Sequence, residues 1–446
     1  MMALSQAANI LHGVMSGESV DFSSVSTDTR SLQKGDLYVA LHGDSFDGHD
    51  YIRQAQQAGA IAAIIHKDVV TSLPVIKVED TRKALGELAA AWRQSFSGKV
   101  VAITGSNGKT TVKEMVSAIA VKQGDVLATQ GNFNNDIGLP LTLLRMQQEE
   151  FAVIEMGANH SGEILNLTNI TRPDVALINN AALAHLEGFG SLKGVAQAKG
   201  EIYQGLSNDG IAVINKDDEF AGYWLELTDG KKIIDFSMKD NTASVYGEWK
   251  QTGSGGNLKV YIGDEILQIN LQIHGLHNAM NALAAISVAE ALGIKHTYIT
   301  QALNEFSAVK GRLNFYRVNE NLTVIDDTYN ANPASLSVGI DVLNELPGEH
   351  WLVLGDMGEL GNDEREMHFD AGVKARSAGV TRVLAIGNAS RHAVEAFGEN
   401  GVSFKNKDEL VSFIKQHQSD ELGILVKGSR FMHMEQIVES LIKRST

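Results

Sequence analysis

The stretch Ala102-Ile103-Thr104-Gly105-Ser106-Asn107-Gly108-Lys109-Thr110-Thr111 follows the β-branched pair Val100-Val101 and leads into a segment where Val112, Met115, Val116, Ile119 and Ala120 recur at helical spacing. Strand, glycine-bearing loop and helix in that order make a phosphate cradle. Small residues let backbone N–H groups close around phosphates, and a helix N-terminus favours negative charge. Within the cradle Lys109 can reach the β- and γ-phosphate oxygens, and the Thr110 hydroxyl can ligate magnesium. One position departs from the general P-loop pattern, which has glycine where this chain has Ile103. The match is therefore to the subtype T-G-S-N-G-K-T. The competing reading is an ordinary strand-to-helix turn with a surface lysine.

Beyond this stretch, apolar runs continue to alternate with helical segments: Phe151 to Ile154, Val175 to Ile178 and Ile211 to Ile214. That is the βαβ pattern of a parallel sheet covered on both faces. On the N-terminal side, Leu37-Tyr38-Val39-Ala40-Leu41 and Ile61-Ala62-Ala63-Ile64-Ile65 predict a small α/β domain, ended by the linker Ser95-Phe96-Ser97-Gly98. From about Lys231 to His274 the period changes to two around the turn Gly253-Ser254-Gly255-Gly256, which predicts antiparallel hairpins appended to the central domain. After an alanine-rich helix (Asn278 to Leu292) and Gly311-Arg312, strands recur at Leu322 to Ile325, Trp351 to Leu354, Val383 to Ile386 and Ile424 to Val426. They predict a Rossmann-type unit with ligand sites at the carboxyl ends of its strands. The expectation is an α/β protein of three domains, at residues 1–97, 98–312 and 313–446.

Composition agrees: 446 residues exceed what one core usually supports, and 43% hydrophobic with 21% charged residues describes an ordinary globular chain. A net charge of −16 argues against a nucleic-acid partner. The absence of cysteine excludes disulfides and thiolate chemistry. The N-terminus has neither a basic nor an apolar leader region, and no run approaches the ~20 apolar residues of a membrane span. The expectation is a cytoplasmic monomer.

Several positions carry more chemistry than packing needs. Glu155 follows Phe151-Ala152-Val153-Ile154, so its carboxylate emerges at the strand edge where the phosphate loop lies, suited to magnesium or simply solvated. His185 falls in a loop after the strand Val175 to Ile178, a place where surface histidines are also common. Lys199 sits beside the apolar stripe Val195, Ala198, Ile202 and Leu206 and faces inward. It either snorkels, or is desolvated to a neutral amine that takes up carbon dioxide as a carbamate, a source of oxygen ligands for a second magnesium. Gly131-Asn132-Phe133-Asn134-Asn135-Asp136 can bind a peptide or sugar, or cap the following helix. In Ile325-Asp326-Asp327-Thr328-Tyr329-Asn330-Ala331-Asn332-Pro333 a strand-end carboxylate can hold a ribose while Pro333 starts a helix.

The phosphate loop, Glu155, His185, Lys199, His277-Asn278 with Asn281, and Gly311-Arg312 stand in one order that resembles the Mur ligases. These are ATP-dependent amide-forming enzymes of peptidoglycan synthesis with three domains. The stretches D-D-T-Y-N-A-N-P (326–333), L-G-D-M-G-E-L-G (354–361) and V-K-G-S-R (426–430) look most like the member that joins D-alanyl-D-alanine to UDP-N-acetylmuramoyl-tripeptide. A sister Mur ligase, a folylpolyglutamate-synthase-like enzyme and an ATP-binding switch without ligase activity are the alternatives. The resemblance implies ATP on Gly105, Ser106, Asn107, Gly108, Lys109, Thr110 and Thr111, with adenine near Asn281 and with Arg312 and Asp327, or Asp326, closing over the nucleotide. It implies one magnesium on Thr110 and Glu155 and a second on His185 and carbamylated Lys199, with Lys109, Glu155, His185 and Lys199 forming the catalytic set. It further implies a uridine-diphosphate pocket at Thr27, Thr29, Asp44, Ser45 and Phe46, and the muramoyl peptide at Asn134 and Asn135. The dipeptide carboxylate is expected at Lys427, Ser429 and Arg430.

Overall fold

The computed structural model describes the chain except residues 44, 45, 185, 254, 419, 420 and 444–446. The central sheet has nine strands in the spatial order Val126–Ala128, Phe151–Glu155, Lys99–Thr104, Val175–Ile178, Ile211–Asn215, Lys232–Ser237, Val245–Thr252, Gly255–Ile262 and Glu265–Leu271. The strand before the phosphate loop lies third in this order, and Val100, Val101, Ala102 and Ile103 are wholly buried. Burial on both faces explains why these strands read as continuous apolar runs rather than alternating ones.

The expected antiparallel hairpins are present, Val245–Thr252 with Gly255–Ile262 and the latter with Glu265–Leu271, but the strands leading into them pair in parallel. Lys232–Ser237 pairs in parallel with Ile211–Asn215, and Val245–Thr252 pairs in parallel with Lys232–Ser237. Antiparallel pairing begins only at Gly255–Ile262 and continues into Glu265–Leu271. The hairpins are appended to the central domain by extending its parallel sheet at one edge. Their period-two pattern reflects one covered face: Leu258, Val260, Leu267 and Ile269 are buried with the helix Leu276–Ala291 in a single core.

Two smaller sheets flank this one. The N-terminal sheet runs Val14–Ser16, Val75–Lys77, Ala62–Ile65, Asp36–Val39, Ser24–Ser26, with only its first strand antiparallel. The C-terminal sheet runs Asn314–Arg317, Leu322–Asp327, Leu422–Lys427, Glu349–Gly355, Arg382–Ile386, Gly401–Phe404, again with one antiparallel edge strand. Among the described residues no helix is long and apolar enough to cross a membrane.

The two flanking units join the centre differently. Leu85 and Leu88 of the helix Thr81–Arg93 share one apolar core with Leu139, Leu143, Ile164 and Leu167, and Trp92 Nε1 donates to the Met146 carbonyl at 2.9 Å. The C-terminal unit instead keeps its own cores, one on each sheet face, which among the described residues contain none before Leu313. It meets the centre through polar contacts such as His274 Nε2 to Glu345 Oε2 at 2.6 Å. An interface of that kind, without shared apolar burial, permits movement of one unit over the other.

Within the C-terminal unit the Asp356 carboxylate ends the strand Glu349–Gly355 and accepts N–H bonds from Asn388, Ala389 and Ser390 at 2.9, 3.0 and 2.7 Å. It thereby fixes the start of the helix Arg391–Phe397. Asp356→Ala would leave these donors without an acceptor and is expected to lower the melting temperature by about 5 °C. An unchanged melting curve by differential scanning fluorimetry would contradict this account.

Candidate active site

The helix Lys109–Ala120 opens on Gly108, whose φ of +77° is open to glycine and costly for other residues. A Cβ there would also lie 2.5 Å from Asn179 Nδ2 and would run into Asn281 Oδ1. The loop is clamped from behind by the two residues that come after the strand Val175–Ile178. Asn180 Oδ1 accepts the Asn107 N–H at 2.9 Å, and the Asn179 and Asn180 amides donate to the Asn107 carbonyl at 2.9 and 3.1 Å. Asn179 also donates to Asn281 Oδ1 at 2.9 Å. The first N–H groups of the helix lack intrahelical acceptors. They open on a small cleft lined by Gly108, Lys109, Arg312, Asn330 and Asn332.

Strand register sets the acid beside the loop. Ile103 and Glu155 are direct partners on adjacent parallel strands, so Glu155 reaches the same sheet edge. Its carboxylate is 3% exposed; Oε2 accepts from the Thr110 hydroxyl at 3.0 Å and Oε1 from Asn134 Nδ2 at 2.9 Å. One hydroxyl and one carboxylate at the mouth of a phosphate loop fit magnesium, which combines one or two carboxylates with nucleotide phosphates. Among the described residues no three His, Asp or Glu side chains gather into a metal-holding group. Lys109 Nζ donates to the Gly105 carbonyl at 2.7 Å. Burial pushes its pKa below the ordinary lysine value, with Glu155 opposing and Arg312 adding to the shift.

The C-terminal unit and the junction leading into it at Arg312 reach this point directly. Arg312 lies over the Tyr329 ring at 4.1 Å and donates to Thr110 Oγ1 at 3.2 Å, and Asn332 Nδ2 donates to Asn107 Oδ1 at 3.0 Å. Beside the phosphate loop opens a cavity of about 1090 Å³ to which all three units contribute, among them Arg82, Asn134, Glu155, Asn330 and Arg430.

The remaining expected positions divide. Lys199 is 3% exposed in the helix Leu192–Gln204, and its pKa is pushed well below the ordinary value by burial and then by Lys109. His185, Asp44 and Ser45 lie outside the described residues. In the asparagine run Asn134 holds Glu155, while Asn135 Oδ1 accepts the Gly138 N–H at 2.9 Å at the start of the helix Gly138–Leu143; both border the large cavity. Asn281 is bonded to Asn179 and Asn278 behind Gly108. Asp327 and Lys427, read as holding different ligands, are bonded to each other in the interior, while Asp326 accepts from Thr328 and borders the large cavity. Ser429 Oγ accepts the Gly358 N–H at 2.8 Å, and Arg430 pairs with Glu435 at 3.2 Å. Thr27 and Thr29 lie half-buried in the turn after Ser24–Ser26, and Phe46 is 45% exposed and stacked on Tyr51; none of the three borders the large cavity. Sequence reasoning missed the clamping by Asn179 and Asn180. Its signal was two amides placed directly after a buried strand.

A phosphate loop at the carboxyl edge of a parallel sheet, bonded across a cleft to a second Rossmann-type unit, defines a nucleotide-using α/β protein that brings further substrates to the same edge. Residues 21–93, 103–289 and 311–430 match the family models for the Mur ligase catalytic domain, the Mur ligase middle domain and the Mur ligase glutamate ligase domain. The chain is 42% identical to UDP-N-acetylmuramoyl-tripeptide–D-alanyl-D-alanine ligase of Escherichia coli (strain K12), over 100% of this chain and 99% of that one. It superposes on MurF from Acinetobacter baumannii with a TM-score of 0.92, at 34% identity over 99% of both chains. On MurF ligase from Thermotoga maritima in complex with ADP the TM-score is 0.83, at 27% identity over 94% of this chain and 97% of that one. The chain belongs to the Mur ligase family.

Proposed function

We infer that this protein is the ATP-dependent ligase that joins D-alanyl-D-alanine to UDP-N-acetylmuramoyl-tripeptide in peptidoglycan precursor synthesis. Full-length identity of 42% to a ligase of that name carries the reading. The geometry supports it, because Lys109, Thr110 and Glu155 meet at the edge of a cavity bordered by all three units.

The chemistry needs these parts. A peptide carboxylate is a poor acyl donor, so it attacks the γ-phosphate of ATP, ADP leaves, and an acyl phosphate forms. Lys109 offsets the charge that gathers on the transferring oxygens. Thr110 and Glu155 would hold one magnesium, with His185 and a carbamylated Lys199 holding a second. Bound there, the ions would supply further positive charge to the phosphoryl oxygens. Arg312, at the junction with the C-terminal unit, and Asn332, within it, reach the phosphate loop, so nucleotide binding and the approach of that unit are coupled. Closure excludes water, which would otherwise hydrolyse the acyl phosphate. The adenine is assigned to the neighbourhood of Asn281 and the ribose to Asp326. The uridine diphosphate is assigned to Thr27, Thr29 and the loop from Asp44 to Phe46. Lys427 is occupied by Asp327, which leaves Ser429 and Arg430 for the dipeptide carboxylate.

Phosphate release from ATP with purified protein, magnesium, muramoyl tripeptide and D-alanyl-D-alanine tests the reading, each component being omitted in turn and the product weighed by mass spectrometry. Release should require both substrates and give a product heavier by one dehydrated dipeptide. Release with another amine alone would reassign the chain to a sister ligase. Nucleotide binding without amide would overturn the ligase reading.

A further inference from the structure

The segment Gly355-Asp356-Met357-Gly358-Glu359-Leu360-Gly361 leaves the buried strand Glu349–Gly355, and most of its residues anchor it to the fold. Asp356 holds the helix start at Ser390. Met357 is wholly buried and its N–H donates to His368 Nε2 at 2.9 Å; the other ring nitrogen of His368 bonds the Glu364 carbonyl at 2.7 Å. The Gly358 N–H donates to Ser429 Oγ, and Leu360 is buried. A Cβ on Gly361 would lie 3.3 Å from Glu187 Cα, so the loop seats against the central unit.

Glu359 stands between these anchors with φ of +63°, a region that non-glycine residues rarely occupy. Glycine lies on both sides of Glu359-Leu360, at Gly358 and Gly361, yet the strained position itself carries a carboxylate. Strain held by surrounding structure, rather than relieved by glycine, marks a side chain retained for its chemistry. With Met357 and Leu360 buried on either side, Glu359 borders the large cavity together with Lys109, Glu155 and Arg430. It shares that cavity with the phosphate-loop lysine and the strand-end acid, so it faces the place where phosphoryl transfer is proposed.

We propose that Glu359 receives the ammonium group of the incoming dipeptide and takes a proton from it as the amine attacks the acyl phosphate. The proposal rests on the ligase reading above. An ammonium nitrogen has no lone pair for attack. Loss of one proton to the Glu359 carboxylate frees the pair, and the N–C bond forms. The C–O bond to phosphate then breaks with its electrons on the leaving oxygen, and the departing phosphate takes the second nitrogen proton. Glu359 releases its proton to solvent. The Gly358–Ser429 bond holds this loop beside the one bearing Arg430. Glu359 and Arg430 border the same cavity, so an ammonium at Glu359 and a carboxylate at Arg430 can belong to one bound dipeptide.

Hydroxylamine, already neutral at pH 7, separates this role from the steps before it, since it captures an acyl phosphate as a hydroxamate without needing a base. Wild type, Glu359→Gln and Glu359→Asp are each assayed with ATP and muramoyl tripeptide, once with D-alanyl-D-alanine and once with hydroxylamine. Glu359→Gln is expected to lose about a hundredfold or more in amide formation, with hydroxamate formation within twofold of wild type; Glu359→Asp should recover part of the amide rate. Amide formation by Glu359→Gln within threefold of wild type would overturn the proposal. So would a parallel loss of hydroxamate, which would place Glu359 in acyl phosphate formation. Wild-type protein that makes hydroxamate but no amide would instead overturn the assignment of the dipeptide as substrate.

Discussion

Glu155→Ala is expected to slow amide formation by about a thousandfold, equivalent to ~4 kcal/mol of lost transition-state stabilisation. The carboxylate sits at the sheet edge because Glu155 pairs in register with Ile103, the residue two before the first glycine of the phosphate loop. It is held at both oxygens, by the Thr110 hydroxyl and the Asn134 amide, and its N–H donates to Thr129 Oγ1 at 2.9 Å. These partners are neutral, so the negative charge itself is not cancelled by the bonds that orient it. Glu155→Gln keeps the shape and can keep both contacts, with its amide accepting from Asn134 and donating to the Thr110 hydroxyl, yet it loses that charge. The glutamine variant should therefore fold normally and be nearly as slow as the alanine variant. In single-turnover formation of ADP with muramoyl tripeptide, both should need a higher magnesium concentration for half-maximal rate. A glutamine variant with wild-type rate and magnesium dependence would show that the carboxylate positions Thr110 and does nothing more.

The parts of this arrangement that could be read from the sequence are those set by local pattern. The buried strand Lys99–Thr104 reads as an apolar run, Gly105 and Gly108 mark the loop, and the helical spacing of Val112, Met115, Val116 and Ile119 marks the helix behind it. Glu155 was legible because a single acid comes directly after an unbroken apolar strand. Contacts made across strands were not legible. Asp327 and Lys427 are partners in register on adjacent parallel strands, separated by the full length of the intervening βα units, so their pairing depends on strand order. Asn134 and Asn135 are adjacent and chemically identical; backbone direction alone sends one to Glu155 and the other to a helix start. The parallel pairing of Lys232–Ser237 was hidden for a related reason, since alternation reports one covered face and not the direction of a neighbour.

Lys199 carries the second large effect. Its helix Leu192–Gln204 packs on the strands Lys99–Thr104 and Val175–Ile178, and only 3% of the residue is exposed. Among the described residues no carboxylate is ion-paired with it, and the charge nearest in effect is that of Lys109, which has the same sign. Both influences lower its pKa and so favour the neutral amine, the form that adds carbon dioxide. A carbamate there would carry a negative charge, attracted to Lys109 rather than repelled by it. Lys199→Met removes an amine that is costly to bury, so it should fold at least as stably as wild type while losing about a thousandfold in ligase rate. Protein equilibrated with ¹³C-bicarbonate should show a carbamate carbon resonance that Lys199→Met lacks. Wild-type activity should fall in carbon-dioxide-free buffer and return when bicarbonate is added. It should also fall on acidification, because protonation of the amine and loss of carbon dioxide act in the same direction. Full activity in carbon-dioxide-free buffer, with no labelled resonance, would leave Lys199 as a buried amine whose work is confined to packing.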